Sequence, residues 1–374
     1  MEIGCNKGTT LTWVGLIQDR FYLMNPPSKI AINYINGYLF KLIFNMNLFQ
    51  NLLNPILWAT RRSEDDVIGL YNYLSGLMRI ITKDYFLNFG YWNKGVDSPR
   101  EAQRSLCSLI ADVSNLNSAR TVLDIGSGFS VPALYWKSLF NSVSIVCVDV
   151  NLRQLKFGVS LEGDLEEKKI IFPLSNDNTK QFESSVELEL PHSEDAEKLS
   201  FVNATSIALP FADNSVDRII ALESAQHFRP LSEFFIESNR VLKKNGIFVT
   251  AMPVIHNQEY LQGDNTFSKV ISSISSYFKL GLLSFTWMSE HYDLDYIRSQ
   301  IVNAGFQSKE IKLIGSHVYE PLSKYYIQNR EMLQNAILKE YPSHIENILY
   351  KSISKMNKLS EERVIDYAII RADK

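Results

Sequence analysis

Two acids and two glycines in the middle of the chain have the types and spacing of a nucleotide-binding turn. Residues 121–130 read Thr-Val-Leu-Asp-Ile-Gly-Ser-Gly-Phe-Ser, so an apolar run ends at Asp124 and leads into Gly126 and Gly128. A glycine lacks a Cβ atom, which lets the backbone turn sharply and lie against a ligand. Asp149 ends a second apolar run about 25 residues after Asp124, close to the offset of about 20 at which an acid meets a ribose hydroxyl in a βαβ nucleotide site. These residues predict hydrogen bonds to hydroxyl or ammonium groups of a ligand.

Such a turn has to join a buried parallel strand to a helix, and the surrounding sequence supplies the elements for that. Further strands are predicted from the runs at 143–149, 201–205 and 247–251, and the run 218–227 predicts a fourth strand followed by its exit loop. A helix that includes 240–245 is expected to stop at Gly246. Segments 309–319 and 364–371 predict two last strands that pair as an antiparallel hairpin, with helices between them at about 321–358. The fold class is therefore α/β, with a doubly wound, mostly parallel sheet.

The order of these motifs resembles the class I S-adenosylmethionine-dependent methyltransferases, over about residues 80–320 and a closing strand near 364–372. The matches to the family pattern are Asp124, Gly126, Gly128, Asp149, the Leu209-Pro-Phe211 segment ahead of Asp217, and Arg240-Val-Leu-Lys243 with Gly246. The resemblance implies a seven-stranded Rossmann-like sheet and S-adenosyl-L-methionine as the cofactor. Carried over residue by residue, it places Asp124, Gly126 and Gly128 around the methionine part, Asp149 at the ribose, and Thr205 with Ser206 near the adenine.

Three positions depart from the family pattern. Ser130 stands in place of the third glycine of the turn. The acid that usually ends the third strand and meets the adenine amino group is absent, and Thr205 or Asn203 stands near its place. Asn245-Gly246 replaces the usual Pro-Gly. We expect the first two departures to weaken cofactor binding without changing which cofactor binds.

An aromatic segment at 84–92, Asp-Tyr-Phe-Leu-Asn-Phe-Gly-Tyr-Trp, precedes the turn. A similar segment precedes the cofactor domain in relatives that act on sterols, tocopherols, phosphoethanolamine and macrolide hydroxyls, where it resembles a lid. Tyr85 and Tyr91 are therefore candidates to present π-faces to the cationic sulfonium. The alternative is that these rings only pack amino-terminal helices onto the sheet.

His227 is the candidate general base, and Glu223 is a second candidate catalytic residue. Both lie in the loop that leaves the fourth predicted strand, at the carboxyl edge of the sheet where ligands of such folds bind. Sugar and natural-product O-methyltransferases of this group often have a histidine here. Imidazole, with an ordinary pKa near 6.5, can accept the proton of an acceptor hydroxyl at neutral pH. His256 and His291 are secondary candidates.

Composition limits the class of partner. The net charge is −3, with no basic tract, which argues against nucleic acid. Cys5, Cys107 and Cys147 have neither metal-ligand nor disulfide spacing, which favours a cytoplasmic location. No carboxylate–histidine cluster with metal spacing is found in the sequence, so no metal is expected. No signal peptide is evident. The stretch 38–59 is too interrupted by polar residues for a membrane span, but it would suit an amphipathic helix with peripheral membrane contact.

The sequence predicts three parts. Residues 1–75 are expected to be an N-terminal helical extension. Residues 76–255 should form the cofactor-binding core, with an acidic surface insertion at about 163–198. Residues 256–374 should contain a helical substrate cap, a last helix and the strands that complete the sheet.

The leading hypothesis is methyl transfer to a hydroxyl of a lipid, isoprenoid or glycosylated natural product. Carbon methylation of a sterol- or quinone-like acceptor is the alternative within the class, and it would need a cation-stabilising pocket rather than a base. A non-catalytic protein of the same fold is the alternative from another class, because of Ser130 and the missing third-strand acid. A dinucleotide-dependent oxidoreductase is disfavoured, since Val131 stands where the third glycine of Gly-x-Gly-x-x-Gly would be.

Overall fold

The computed structural model describes residues 63–161, 199–255 and 292–374. Several expectations lie outside these residues: the extension before residue 63 with its stretch 38–59, the acidic insertion 163–198, the cap segment 256–290, and the secondary candidates His256 and His291. Among the described residues, no helix is both long enough and apolar enough to cross a bilayer.

Helices and strands alternate through most of the described chain. The strands are β1 Thr121–Ile125, β2 Ser144–Asp149, β3 Leu199–Asn203, β4 Val216–Leu222, β5 Leu242–Ile255, β6 Gln307–Leu313 and β7 Ile365–Asp373. The helices are α1 Glu64–Thr82, α2 Pro99–Val113, α3 Val131–Leu139, α4 Leu152–Leu161, α5 Leu231–Val241, α6 Leu294–Asn303, α7 Tyr319–Gln328, α8 Arg330–Ile337 and α9 Ser343–Glu361.

The strands form one seven-stranded sheet in the order β3-β2-β1-β4-β5-β7-β6. Neighbours from β3 to β5 pair in parallel, and β7 is antiparallel to both β5 and β6. The chain moves outward from β1 to β3 and then resumes at β4 on the other side of β1. This reversal opens a crevice at the carboxyl ends of β1 and β4, where doubly wound sheets bind ligands. The predicted fold class is confirmed.

Alternating side chains of the strands fill two separate cores. Val122 and Ile145 face a cluster that includes residues of α2, α3, α4, α7 and α9. Leu123 and Val146 face the opposite cluster, which includes residues of α5 and α6. Because helices cover both faces, every residue of β2 is buried, and the strand reads as a continuous apolar run up to Asp149.

Two boundaries differ from the sequence prediction. Helix α5 ends at Val241, before Gly246, and β5 already begins at Leu242. The left-handed residue of this stretch is Asn245, with φ 65°. Strand β6 ends at Leu313 rather than near 319, because the chain turns at Gly315, whose N–H donates to Oδ1 of Asp366 at 2.8 Å.

Helices α7 to α9, which are inserted between β6 and β7, pack against α1. Leu77 and Ile81 of α1 lie in one apolar cluster with Leu333 and Ile337 of α8. Helix α1 begins with a capping box, in which Ser63 accepts from the N–H of Asp66 and Asp66 accepts from the N–H of Ser63. The outer face of α1 is therefore fixed by apolar packing, which leaves its inner face toward the crevice.

Candidate active site

A cavity occupies the crevice at the carboxyl edge of the sheet. It contains about 1020 Å³ of unfilled space, part of it open to solvent. Its walls come from the turn after β1, the ends of β2 to β4, the aromatic segment and the inner face of α1. The polar side chains on these walls are Glu64, Tyr71, Tyr85, Asn88, Asp124, Ser127, Asp149, Asn151, Gln154, Ser206, Glu223, Ser224 and His227.

The turn after β1 has three left-handed residues in alternation, Gly126 at φ 72°, Gly128 at φ 56° and Ser130 at φ 59°. A Cβ atom on Gly126 would lie 2.4 Å from Cβ of Ser224, so glycine is required there for space as well as for conformation. Ser130 adopts the conformation of the glycine that it replaces, and its hydroxyl donates to Oγ of Ser127 at 3.2 Å. At position 130 the turn therefore keeps the left-handed backbone conformation of a glycine, although the residue there is serine.

Asp149 fixes the turn to the end of β2. Its Oδ2 accepts from the N–H of Gly128 at 2.8 Å, and its Oδ1 accepts from the N–H of Asn151 at 2.7 Å. Burial raises the pKa of Asp149 to about 6, although these N–H groups oppose the shift. The carboxylate keeps further acceptor capacity toward the cavity, because an ionised carboxyl group has about four lone-pair sites.

Asp124 and Asn88 each bring to the cavity a buried oxygen with no hydrogen-bond partner among the described residues. Asp124 is 2% exposed and Asn88 is 4% exposed, and the oxygens are Oδ2 and Oδ1 respectively. Burial, followed by the charge of Asp149, raises the pKa of Asp124 to about 8. Nδ2 of Asn88 faces Sγ of Cys107 at 3.7 Å, which directs its oxygen elsewhere. Buried acceptors without donors are costly, so this pair suits a ligand with N–H or O–H groups.

Glu223 joins three parts of the fold at the floor of the cavity. It follows β4 with φ 53°, and its Oε1 accepts from the N–H of Phe89 and from the hydroxyl of Tyr367, both at 2.9 Å. Phe89 belongs to the aromatic segment and Tyr367 to β7. Burial raises the pKa of Glu223 to about 8.

His227 ends a short 3-10 helix, Ala225–His227, and meets α1 across the cavity. Its Nε2 lies 2.9 Å from the hydroxyl oxygen of Tyr71, and the two rings make an edge contact with centroids 5.4 Å apart. Burial raises the pKa of Tyr71, and the charges of Glu223 and Asp149 raise it further, so Tyr71 stays a neutral phenol. The predicted base is thus paired with a hydroxyl that the sequence did not single out.

The other predicted site residues divide between the cavity and its surroundings. Tyr85 lines the cavity and packs against Phe157, with ring centroids 4.8 Å apart. Tyr91 is not among the lining residues, and its ring packs against His317 at 5.4 Å. Ser206 is buried in the wall, whereas Thr205 lies just outside it.

Helix α1 is the part of the site that sequence reasoning missed. Besides Tyr71, its Asn72 accepts from Nδ2 of Asn151 at 3.3 Å, and its Ser75 accepts from Nε2 of Gln154 at 3.0 Å. The available signal was a capped amphipathic helix whose apolar residues alternate with polar ones. That pattern shows that one face is buried, but not that polar residues beside that face would contact a site far along the chain.

Comparisons with known proteins agree with this geometry. A family model described as a methyltransferase domain matches residues 174–250. Erythromycin 3''-O-methyltransferase of Saccharopolyspora erythraea is 22% identical over 320 residues, which cover 85% of this chain and 93% of that protein. Sterol 24-C-methyltransferase of Pneumocystis carinii is 25% identical over 165 residues, 44% of this chain and 36% of that protein. The structure of mycolic acid cyclopropane synthase CmaA1 complexed with SAH and CTAB superposes with a TM-score of 0.59 at 15% identity, covering 81% of this chain and 95% of that one.

The residues around the cavity fit the cofactor of these enzymes. The unsatisfied oxygens of Asp124 and Asn88 suit an ammonium group, and the carboxylate of Asp149 suits vicinal hydroxyls. The Cβ-free backbone at Gly126 leaves room for close approach. The chain therefore resembles the class I S-adenosylmethionine-dependent methyltransferases in its motifs and fold, and it is an enzyme that uses this cofactor to methylate small molecules.

Proposed function

We propose that the enzyme methylates a hydroxyl oxygen of a lipid, isoprenoid or glycosylated natural product, with His227 as the general base. The observation that carries the proposal is the position of the His227 ring, which lines the cavity and has Nε2 2.9 Å from the Tyr71 hydroxyl. The length of the match to the erythromycin 3''-O-methyltransferase supports an oxygen acceptor on a glycosylated molecule.

The cofactor contacts follow from the walls of the cavity. We assign the methionine ammonium to Asp124 and Asn88, and the ribose hydroxyls to Asp149. Of the two predicted aromatic residues, Tyr85 lines the cavity, so we place its ring near the sulfonium. Tyr91 has no such role in this proposal, because its ring packs on His317 instead.

The bound cofactor supplies an electrophilic methyl group, so the protein has to orient the acceptor and remove one proton. The bound cofactor would supply the methyl group to the acceptor oxygen, and the imidazole of His227 would take the hydroxyl proton. Tyr71 holds the imidazole and remains neutral, because its raised pKa keeps the phenol protonated. Val67, Ile68 and Phe228 contribute apolar wall, which suits an apolar acceptor and excludes water.

The test is a screen of hydroxylated apolar and glycosylated compounds for methylation, followed by a matched pair of histidine variants. His227→Asn should lower kcat by about 100- to 10,000-fold, the usual contribution of a general base, while binding of S-adenosylhomocysteine by calorimetry stays within about threefold. His317→Asn is the control, because His317 packs outside the cavity. Full activity in His227→Asn would eliminate the base assignment.

Carbon methylation is the second candidate, and Glu223 is the observation that favours it. In its ionised form, the buried carboxyl group of Glu223 at the cavity floor can stabilise a cation that forms on an alkene acceptor. The sterol 24-C-methyltransferase match agrees with this candidate. Nuclear magnetic resonance of the methylated product separates the two, since a methyl group on oxygen and one on carbon have distinct chemical shifts. Under carbon methylation Glu223→Gln, rather than His227→Asn, should abolish turnover.

A further inference from the structure

Helix α1 brings a carboxylate to the end of the cavity next to β3. Glu64, in the first turn of α1, lines the cavity together with Val150, Ala204 and Ser206. Its Oε1 accepts a hydrogen bond of 2.5 Å from the hydroxyl of Thr205, which follows β3. The segment 204–206 and the amino end of α1 therefore meet through a polar contact at the rim.

We propose that Glu64 recognises the exocyclic amino group of the cofactor's adenine. The inference rests on the cofactor and on the placement of its ribose at Asp149, and it is independent of the acceptor.

The first step of the argument concerns position. With the ribose at the end of β2, the base has to lie beyond it, either along the neighbouring end of β3 or toward solvent. Glu64 is on the β3 side, since its Oε1 accepts from the hydroxyl of Thr205, which follows β3. Val150 and Ala204 provide apolar wall at the same place, which suits the faces of a flat ring.

The second step concerns hydrogen bonding. An adenine amino group has two N–H donors and needs an acceptor when it leaves water. Of the four carboxyl groups on the described cavity walls, Asp124 follows β1, Glu223 follows β4 and Asp149 is assigned to the ribose. Glu64 is the remaining one. The Thr205 hydroxyl fixes Oε1, and the described hydrogen bonds of Glu64 do not use Oε2.

The third step explains a departure in the sequence. No acid follows β3 in this chain, and Thr205 stands near that place. The structure supplies a carboxylate to the same spot from a helix more than a hundred residues earlier in the chain, through the Thr205–Glu64 contact. The acid that the family pattern has after β3 is therefore replaced in this chain by a carboxylate from helix α1.

The experiment is a calorimetric titration of the full-length chain with S-adenosylhomocysteine and with S-inosylhomocysteine, in which a carbonyl oxygen replaces the adenine amino group. The wild-type protein should bind the first compound at least tenfold more tightly, because a carboxyl oxygen that accepts from an amino group has no donor in a carbonyl oxygen. Glu64→Gln should weaken S-adenosylhomocysteine about tenfold and leave less than about threefold discrimination, since an amide pairs with either base.

Two further variants make the result specific. Asp65→Asn removes the same charge from the next residue of the first turn, outside the cavity, and should leave both affinities unchanged. Thr205→Asp added to Glu64→Gln puts an acid directly after β3 and should restore the discrimination. Equal discrimination in wild type and Glu64→Gln would overturn the proposal, as would an equal loss of affinity for both compounds in the variant. Failure of the wild-type protein to bind either compound would overturn the cofactor site itself, whereas a failed acceptor screen would leave these titrations unaffected.

Discussion

Replacing Asp124 with asparagine should stabilise the cofactor-free protein at high pH and weaken cofactor binding. Burial raises the pKa of this carboxyl group from 3.8 to about 8, with a further contribution from the charge of Asp149. The folded state therefore keeps the proton up to about pH 8, while the unfolded chain releases it near pH 4. A group with a raised folded pKa contributes its full stability below the unfolded pKa and loses it as pH rises toward the folded pKa.

The change in stability follows from the difference between the folded and unfolded pKa values of Asp124. Each pH unit between about 4 and 8 lowers the free energy of unfolding by about 1.4 kcal/mol through this one group. At pH 7 the accumulated cost is about 4 kcal/mol, an upper value for the gain from Asp124→Asn, because the amide also needs partners for its two N–H groups. Loss of a charged hydrogen bond to the cofactor ammonium should weaken S-adenosylhomocysteine binding by about 10- to 100-fold.

The assay is urea unfolding of both proteins without cofactor from pH 5 to pH 8. The difference in free energy of unfolding should grow with pH in favour of the variant. Asp217→Asn is the control with the opposite sign. Burial alone would raise the pKa of Asp217, but hydrogen bonds from Lys243, Thr121 and Arg120 lower it. Asp217→Asn should therefore destabilise the protein above pH 4, and this effect should fade as pH falls. A difference for Asp124→Asn that stayed constant from pH 5 to pH 8 would refute the reasoning.

Two more substitutions test the turn and the C-terminal helices. Gly126→Ala should cost about 1–2 kcal/mol for the left-handed backbone and more for the 2.4 Å approach to Ser224, with at least a tenfold loss in S-adenosylhomocysteine affinity. Gly95→Ala, also left-handed but with no atom within 4 Å of the added Cβ, should show the backbone cost and unchanged affinity. Glu346→Ala should lower the free energy of unfolding in urea by about 2 kcal/mol, because it leaves Arg330 without its buried partner. This is below the value for a fully buried pair, since the Arg330 side chain is 34% exposed and regains water.

The control for Glu346 is an exposed ion pair of similar length. Arg298 and Asp295 are 3.2 Å apart with side chains 50% and 71% exposed, so Asp295→Ala should change stability by no more than about 0.5 kcal/mol. Equal losses of stability in Glu346→Ala and Asp295→Ala would mean that burial of Glu346 does not determine how much its ion pair stabilises the fold. For Gly126→Ala, wild-type cofactor affinity would contradict the role given to the turn.

The sequence by itself determined the sheet, the turn and the resemblance to a methyltransferase family. Parallel strands buried on both faces leave continuous apolar runs, so the runs ending at Asp124 and Asp149 can be recognised as strands from the sequence alone. The glycines indicate a tight turn because only glycine adopts positive φ without steric cost. Ser130 shows that another residue can occupy one such position. Boundaries were less well determined, as at Gly246, where the strand begins before the expected stop.

Only the tertiary structure decided which side chains share the cavity. Helix α1 is far from the turn in sequence, yet its Tyr71 meets His227 and its Glu64 meets Thr205. The structure likewise separated Tyr85, which lines the cavity, from Tyr91, which does not. Local patterns report which face of an element is buried, because that depends on periodicity along the chain. They do not report which distant element covers that face, since this depends on how the whole chain packs around the sheet, and that packing places the carboxylate of Glu64 beside a strand end that lacks its own acid.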